Sequence, residues 1–199
     1  MTSRATLNLG RDRYRVGPWH ADPATAYLAL TPTSPRVHDA SLRACVRRLA
    51  DEGYRSVITS ALHPDETGPF VRLGFAEFDR LRVLAVDLDR DLPRPVLPPG
   101  HRMRRARRAD RRAALEVDQR AFPTFWQLDD ASMRDAETAT PSHRFRVVET
   151  HAGVVAYAIT GRSGTQAFLQ RLATDPAHQR SGLATALCVD AMRLSLIHI

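Results

Sequence analysis

LQRLATDPAHQRSGLATAL, residues 169–187, changes character halfway. An apolar stretch meets Pro176, crosses a polar turn and resumes at Gly182 with residues that favour a helix. Gly182 can adopt backbone angles closed to other residues and brings no side chain to obstruct a ligand. A helix is predicted from Ser181 or Gly182, with Leu183 and Leu187 on one face and Ala184, Cys188 and Ala191 on the next. A helix start leaves about four backbone N–H groups unpaired at the positive end of its dipole, so this turn is an anion site with phosphate as its natural guest. Hydrogen bonds to a charged oxygen contribute roughly 1.5–3 kcal/mol each, and a few of them suffice for a micromolar cofactor.

The phosphate is not that of a P-loop nucleotide, because no GxxxxGK[ST] is present, and no GxGxxG follows a strand to suggest a dinucleotide. What precedes the turn narrows the choice further. HRMRRA (101–106) is predicted as a strand, and Asp110 as the N-cap of a helix carrying Ala114, Val117 and Ala121 on one face. A second helix is predicted over LDDASMRDAETA (128–139). HRFRVVET (143–150), GVVAYAIT (153–160) and TQAFLQRLAT (165–174) then form an antiparallel meander, with turns at 151–153 and 161–164.

Upstream, DLPRPVLPPG (91–100) holds four prolines and a terminal glycine, and is expected to be a linker. Before it, Leu42, Cys45, Val46 and Leu49 recur at helical spacing, with Gly53 as a stop, so a helix is predicted over about 39–52. RSVITSAL (55–62) reads as a strand, ETGPFVRLGF (66–75) as a short helix and turn, and AEFDRLRVLAVDL (76–88) as one or two strands. YRVGPWHADPATAYLALTP (14–32) reads as strand material. The first part is therefore expected to follow a β-α-β-α-β pattern.

Gln179, Gly182 and Ala184 have the spacing Q-x-x-G-x-A after a strand and a proline. With the strand–helix–helix–meander order before it, residues 98–193 resemble the GNAT superfamily of N-acetyltransferases. The resemblance implies a mixed α/β fold (α+β mixed): a mostly antiparallel sheet flanked by helices, here in two partial units. It implies acetyl-CoA as co-substrate, with Leu172, Ala173 and Thr174 meeting the pantetheine arm. Gln179, Arg180, Ser181, Gly182, Leu183, Ala184 and Thr185 would cradle the pyrophosphate. The acceptor pocket would involve AFPTFWQLDD (121–130), with Phe122, Phe125 and Trp126 lining it or simply filling core.

PFVRLGFAEFDRLRVLAVDL (69–88) is similar to the closing segment of the same fold. TSPRVHDASLRAC (33–45), standing where that unit's pyrophosphate loop belongs, has no glycine. Residues 1–90 are accordingly expected to be a partial, degenerate unit that does not bind cofactor by that route, and 101–193 the cofactor-binding part of a second. The terminal LSLIHI (194–199) is read as a non-native tail on a protein that is naturally longer. In one alternative, the 54–90 region completes the second unit in permuted order, which requires strand 55–60 beside strand 167–174.

With 199 residues and 43% hydrophobic content the chain can bury one generous core or two small ones. It has no apolar run near the roughly 18 residues of a membrane span and no signal-peptide core at its start, so the cytoplasm is expected and a membrane partner is not. Cys45 and Cys188, the only cysteines, make neither a disulfide framework nor a metal site. The net charge is +7, with all 29 basic residues Arg and none Lys. This uniform bias weakens a nucleic-acid reading even of RMRRARRADRR (102–112), where Asp110, and then Glu116 and Asp118, interrupt the charge.

In acetyl transfer the acceptor amine must be neutral when it attacks. A lysine amine, with pKa about 10.4, needs a base more than an α-amine at about 7.7–8.0. Gln170 and Arg171 occupy the strand position where some relatives carry a catalytic Glu; neither is a base at neutral pH, and no catalytic residue is assigned. The leading expectation is an acetyl-CoA-dependent N-acetyltransferase acting on a primary amine, in a small molecule or a peptide. The alternatives are a non-catalytic acyl-CoA-binding or regulatory relative, and an Arg-rich nucleic-acid-binding protein.

Overall fold

The computed structural model describes residues 4–20, 22–31, 37–87, 92 and 94–196. The chain divides into two compact units, Met1–Ala85 and Val86–Ile199. The fold is mixed α+β, with two four-stranded sheets and five α-helices among the described residues.

In the first unit, β1 (Ala5–Leu9), β2 (Asp12–Trp19) and β3 (Asp22–Leu30) pair antiparallel in sequence order. Helix α1 (Asp39–Asp51) then leads to β4 (Ser56–Thr59), which pairs parallel with β3, and α2 (Gly68–Arg72) follows. Leu42, Cys45 and Leu49 of α1 are buried against Tyr14, Val16, Ala26 and Leu28 of the sheet and Phe70 of α2. This is the apolar stripe that the helical spacing predicts. Asp12, almost wholly buried, accepts from the backbone and ring nitrogens of His38, each at 3.1 Å, and so anchors the start of α1 to β2.

The order is therefore β-β-β-α-β-α rather than the expected alternation. Residues 76–87, expected as one or two strands, form none. The stretch has the composition of a strand but no paired edge, and a strand exists only where a neighbour takes up its backbone groups. Phe78, Leu81, Val83, Leu84 and Val86 are accordingly exposed. Strand β4 pairs with β3 in the first sheet, so the permuted arrangement, with 55–60 beside 167–174, does not form among the described residues. Residues 33–36 of the glycine-free stretch, 88–91 and 93 at the predicted linker, and 197–199 of the expected tail lie outside the described residues.

In the second unit, β5 (Arg102–Arg105) is followed by α3 (Asp110–Ala121) and α4 (Asp130–Thr138). The meander comprises β6 (Ser142–Thr150), β7 (Gly153–Ser163) and β8 (Gln166–Thr174), and α5 (Leu183–Leu196) closes the unit. The sheet order is β5-β6-β7-β8, antiparallel throughout, leaving β8 at one edge. Asp110 is the first residue of α3 rather than its cap: its carboxylate accepts from Arg107 N at 2.6 Å and is held by Arg104. Asp129, accepting from Ser132 N at 2.7 Å, caps α4. The turn expected at 161–164 lies two residues later, at Gly164 and Thr165, because β7 stays paired through Ser163.

Alternation along β6–β8 gives the sheet two apolar faces. Val147, Tyr157, Ile159 and Ala173 pack with Ala114 and Val117 of α3 and Met133 of α4. Val148, Ala156 and Ala158 pack with Leu183 and Leu187 of α5. The sheet is thus sandwiched, and its edge strand β8 runs directly into the turn before α5.

Candidate functional site

The turn is built in two steps. Asp175 caps a short 3-10 turn, Pro176–His178, by accepting from Ala177 N at 2.9 Å. Burial pushes its carboxyl up, but the Ala177 amide and the Arg120 guanidinium outweigh that and hold it below the usual carboxylate range. The chain then reverses through two left-handed positions, Arg180 at φ 58° and Gly182 at φ 85°. Gly182 has open space where a β-carbon would stand, so its requirement is the backbone angle and not packing.

The first hydrogen bond into α5 runs from Ala186 N to Gly182 O at 2.9 Å. The amides of Leu183, Ala184 and Thr185 lie ahead of it, in the position of unpaired helix-start donors. Leu183 itself is buried and offers a ligand only its backbone.

The two predicted groups of cofactor residues meet directly. Gln179 Nε2 donates to Thr174 O at 3.2 Å, joining the turn to the end of β8. Because β8 is an edge strand, the outward backbone groups of Leu172, Ala173 and Thr174 face no neighbouring strand among the described residues. Ala173 is buried, so a ligand along this edge meets its main chain. Thr174 Oγ1, at the end of the same edge, is buried without a hydrogen-bond partner among the described residues.

Phe122, Phe125 and Trp126 lie between α3 and α4, with Phe125 and Trp126 edge to face at 4.9 Å. Phe122 packs partly into the core beneath α3 and lies under the guanidinium of Arg171, 3.6 Å from its ring centroid. Phe122 and the Trp126 carbonyl thereby meet Arg171, the residue before Leu172 on β8.

Residues 111–194 match the model of the acetyltransferase (GNAT) family. The second unit carries a GNAT domain. The solved GCN5-related N-acetyltransferase from Kribbella flavida matches 98% of this chain and 75% of its own, at 18% identity and a TM-score of 0.62. A GCN5-related N-acetyltransferase from Sphaerobacter thermophilus matches 94% of this chain at 16% identity and TM-score 0.56. The ribosomal-protein-S18-alanine N-acetyltransferase from Escherichia coli matches 49% of this chain at 21% identity and TM-score 0.44. This chain spans 61% of that last enzyme and 64% of the Sphaerobacter protein. No curated protein sequence matches.

Within the GNAT domain, the residue that sequence reading undervalued is Asp118. It enters that reading only as an interruption of positive charge, yet it is fully buried under the candidate acceptor loop. Its signal is positional: it stands four residues after Ala114 and three before Ala121, on the apolar face of α3. A charge on such a face implies a buried partner.

Three of the seven arginines in the basic cluster 102–112 pair with carboxylates of the same unit. Arg104 binds Asp110 and Glu149, Arg111 binds Glu137, and Arg112 binds Glu116. Among the described residues no helix is long and apolar enough to cross a membrane.

Proposed function

We propose that the GNAT domain binds acetyl-CoA along the outer edge of β8 and at the turn before α5, and transfers the acetyl group to a primary amine. The observation that carries this reading is the left-handed Arg180–Gly182 turn, which sets the open N-terminus of α5 at the end of an edge strand. Gln179, Arg180, Ser181, Gly182, Leu183, Ala184 and Thr185 hold the pyrophosphate, chiefly through backbone amides and the helix dipole. Leu172, Ala173 and Thr174 hold the pantetheine arm as an added strand would be held. The cofactor supplies the activated thioester, and the strand amides orient it. Phe122, Phe125 and Trp126 shape the acceptor side and keep water from it, which favours a neutral amine. The first unit serves this reading as a degenerate companion that binds no cofactor of its own. We place the protein in the cytoplasm, where its free Cys45 and Cys188 stay reduced.

Titration calorimetry of acetyl-CoA into the chain and into Gly182→Asp tests the proposal. Micromolar binding that the variant loses supports it; a folded wild-type chain that does not bind overturns it. A second reading, a non-catalytic acyl-CoA binder, draws on β8 itself. Gln170 does not titrate, and Arg171 directs its donors into the protein. Binding with no turnover across a panel of amines selects that reading. Nucleic acid is not the partner we propose, since the positive charge comes from a uniform use of Arg and the cluster 102–112 is interrupted by Asp110; binding to DNA that falls steeply with salt would contradict this.

A further inference from the structure

The pairing of β7 with β8 slips by one residue: Ile159 faces Arg171, but Thr160 faces Leu169. Gln170 is the extra residue of a β-bulge, a feature that re-aims neighbouring side chains. Arg171 consequently lies opposite Ile159, on the face covered by α3 and α4. Its Nε donates to Asp118 Oδ2 at 2.7 Å and its Nη2 to Asp118 Oδ1 at 2.9 Å. Nη2 also donates to the backbone carbonyl of Trp126 at 2.6 Å, while the guanidinium covers the Phe122 ring.

Asp118 completes the arrangement. Beyond Arg171, it accepts from Tyr157 OH at 2.5 Å and from Leu128 N at 2.7 Å. One buried carboxylate thus ties α3, β7, β8 and the segment 122–128 together, and its charge is met by an Arg and two further donors. The segment otherwise closes on itself, with Gln127 Nε2 donating to Gln119 O and Phe122 O.

We propose that Arg171 and Asp118 are positioning residues that hold the 122–128 segment in register with β8, so that the acceptor side and the cofactor edge move as one piece. What the two sides bind rests on the function proposed above; the tether itself does not. Arg171 is the residue immediately before Leu172, so a displacement of the cofactor edge reaches Trp126 through a single side chain. The role demands Arg: it needs a planar group that donates in two directions and stacks on a ring, and the point charge of Lys does none of these together.

The test uses the full chain with Trp19→Phe, which leaves Trp126 as the only tryptophan. Acrylamide quenching of Trp126 is compared in this parent, in Arg171→Lys, in Asp118→Asn and in Phe122→Leu, each checked for folding by circular dichroism. Arg171→Lys is expected to raise the quenching constant at least about twofold. Phe122→Leu, which removes only the stacked ring, gives a smaller rise and remains informative if Asp118→Asn fails to fold. Acetyl-CoA is then titrated: the parent changes its Trp126 emission, whereas Arg171→Lys binds within about threefold of the parent affinity without that change. Quenching in Arg171→Lys and Phe122→Leu equal to the parent overturns the tether. An emission response retained in folded Arg171→Lys overturns the coupling. A parent that does not bind acetyl-CoA defeats the functional reading, while the quenching series still decides the tether.

Discussion

Arg104 and Asp110 form a two-point ion pair across the start of α3, with Nη2 to Asp110 Oδ1 at 2.9 Å and Nη1 to Oδ2 at 2.6 Å. Glu149 takes the remaining Nε, at 2.8 Å, so that β5, β6 and α3 share one guanidinium. Hydrogen bonds from Arg104 hold both carboxyls below the usual carboxylate range. A depressed carboxyl stabilises the fold fully above its unfolded pKa, and that stability disappears as the pH falls through the folded value. The second unit is therefore expected to hold a plateau above about pH 5 and to weaken steadily below about pH 4. Urea unfolding followed at Trp126 in the Trp19→Phe background measures this. Arg104→Met is expected to lose about 2 kcal/mol at neutral pH and to flatten the acid dependence; an unchanged acid slope would show that other carboxyls set it.

Gly161 is constrained by its neighbours. A β-carbon there would stand 2.9 Å from Gln170 Nε2 and 3.0 Å from Thr140 Cγ2. Gly161→Ala is expected to destabilise the second unit by about 1–3 kcal/mol, the range for overpacking a close contact. Thr140→Ala in the same chain should recover much of that loss, because the two sites share the clash. Additive effects in denaturant melts would mean that the strand backbone, not Thr140, sets the limit.

Cys45 reports on the first unit. Burial pushes its thiol up to about 12, and it has no exposed surface. In a Cys188→Ser background, alkylation at pH 8 should proceed only through opening of the unit, far more slowly than for a free cysteine. Leu49→Ala, which opens a cavity beside it, costs about 2–5 kcal/mol and should accelerate labelling at least about tenfold. Rapid labelling of the parent would show that the core around α1 opens readily.

Val83 and Leu84, 94% and 91% exposed, support no packing in this fold. Val83→Thr with Leu84→Gln should change stability by less than about 0.5 kcal/mol. It should also reduce self-association at high concentration, because an exposed apolar stretch of strand-forming residues recruits copies of itself. A loss above about 1 kcal/mol on chemical unfolding would instead place these side chains in a core.

Helix α1, the meander and the turn before α5 were legible from residue spacing, because each depends on local periodicity and on where Gly and Pro stand. The 76–87 stretch was not: it reads as strand by composition, but pairing needs an available edge, and edges are set by the rest of the chain. Asp110 failed as a predicted cap for a similar reason, since its carboxylate is captured by Arg104 and by the amide of Arg107.

The sequence by itself determined the turn before α5. The spacing of Gln179, Gly182 and Ala184 after a strand specifies a helix start with a left-handed glycine, and that chemistry is local. Only the tertiary structure decided what lies beside it. The bulge at Gln170 turns Arg171 onto Asp118, 53 positions away in the chain, and so ties the aromatic loop to β8. Side-chain periodicity predicts which face a residue takes, but a one-residue slip in strand pairing reverses that assignment. Buried charges then find partners across the sheet that no local pattern names.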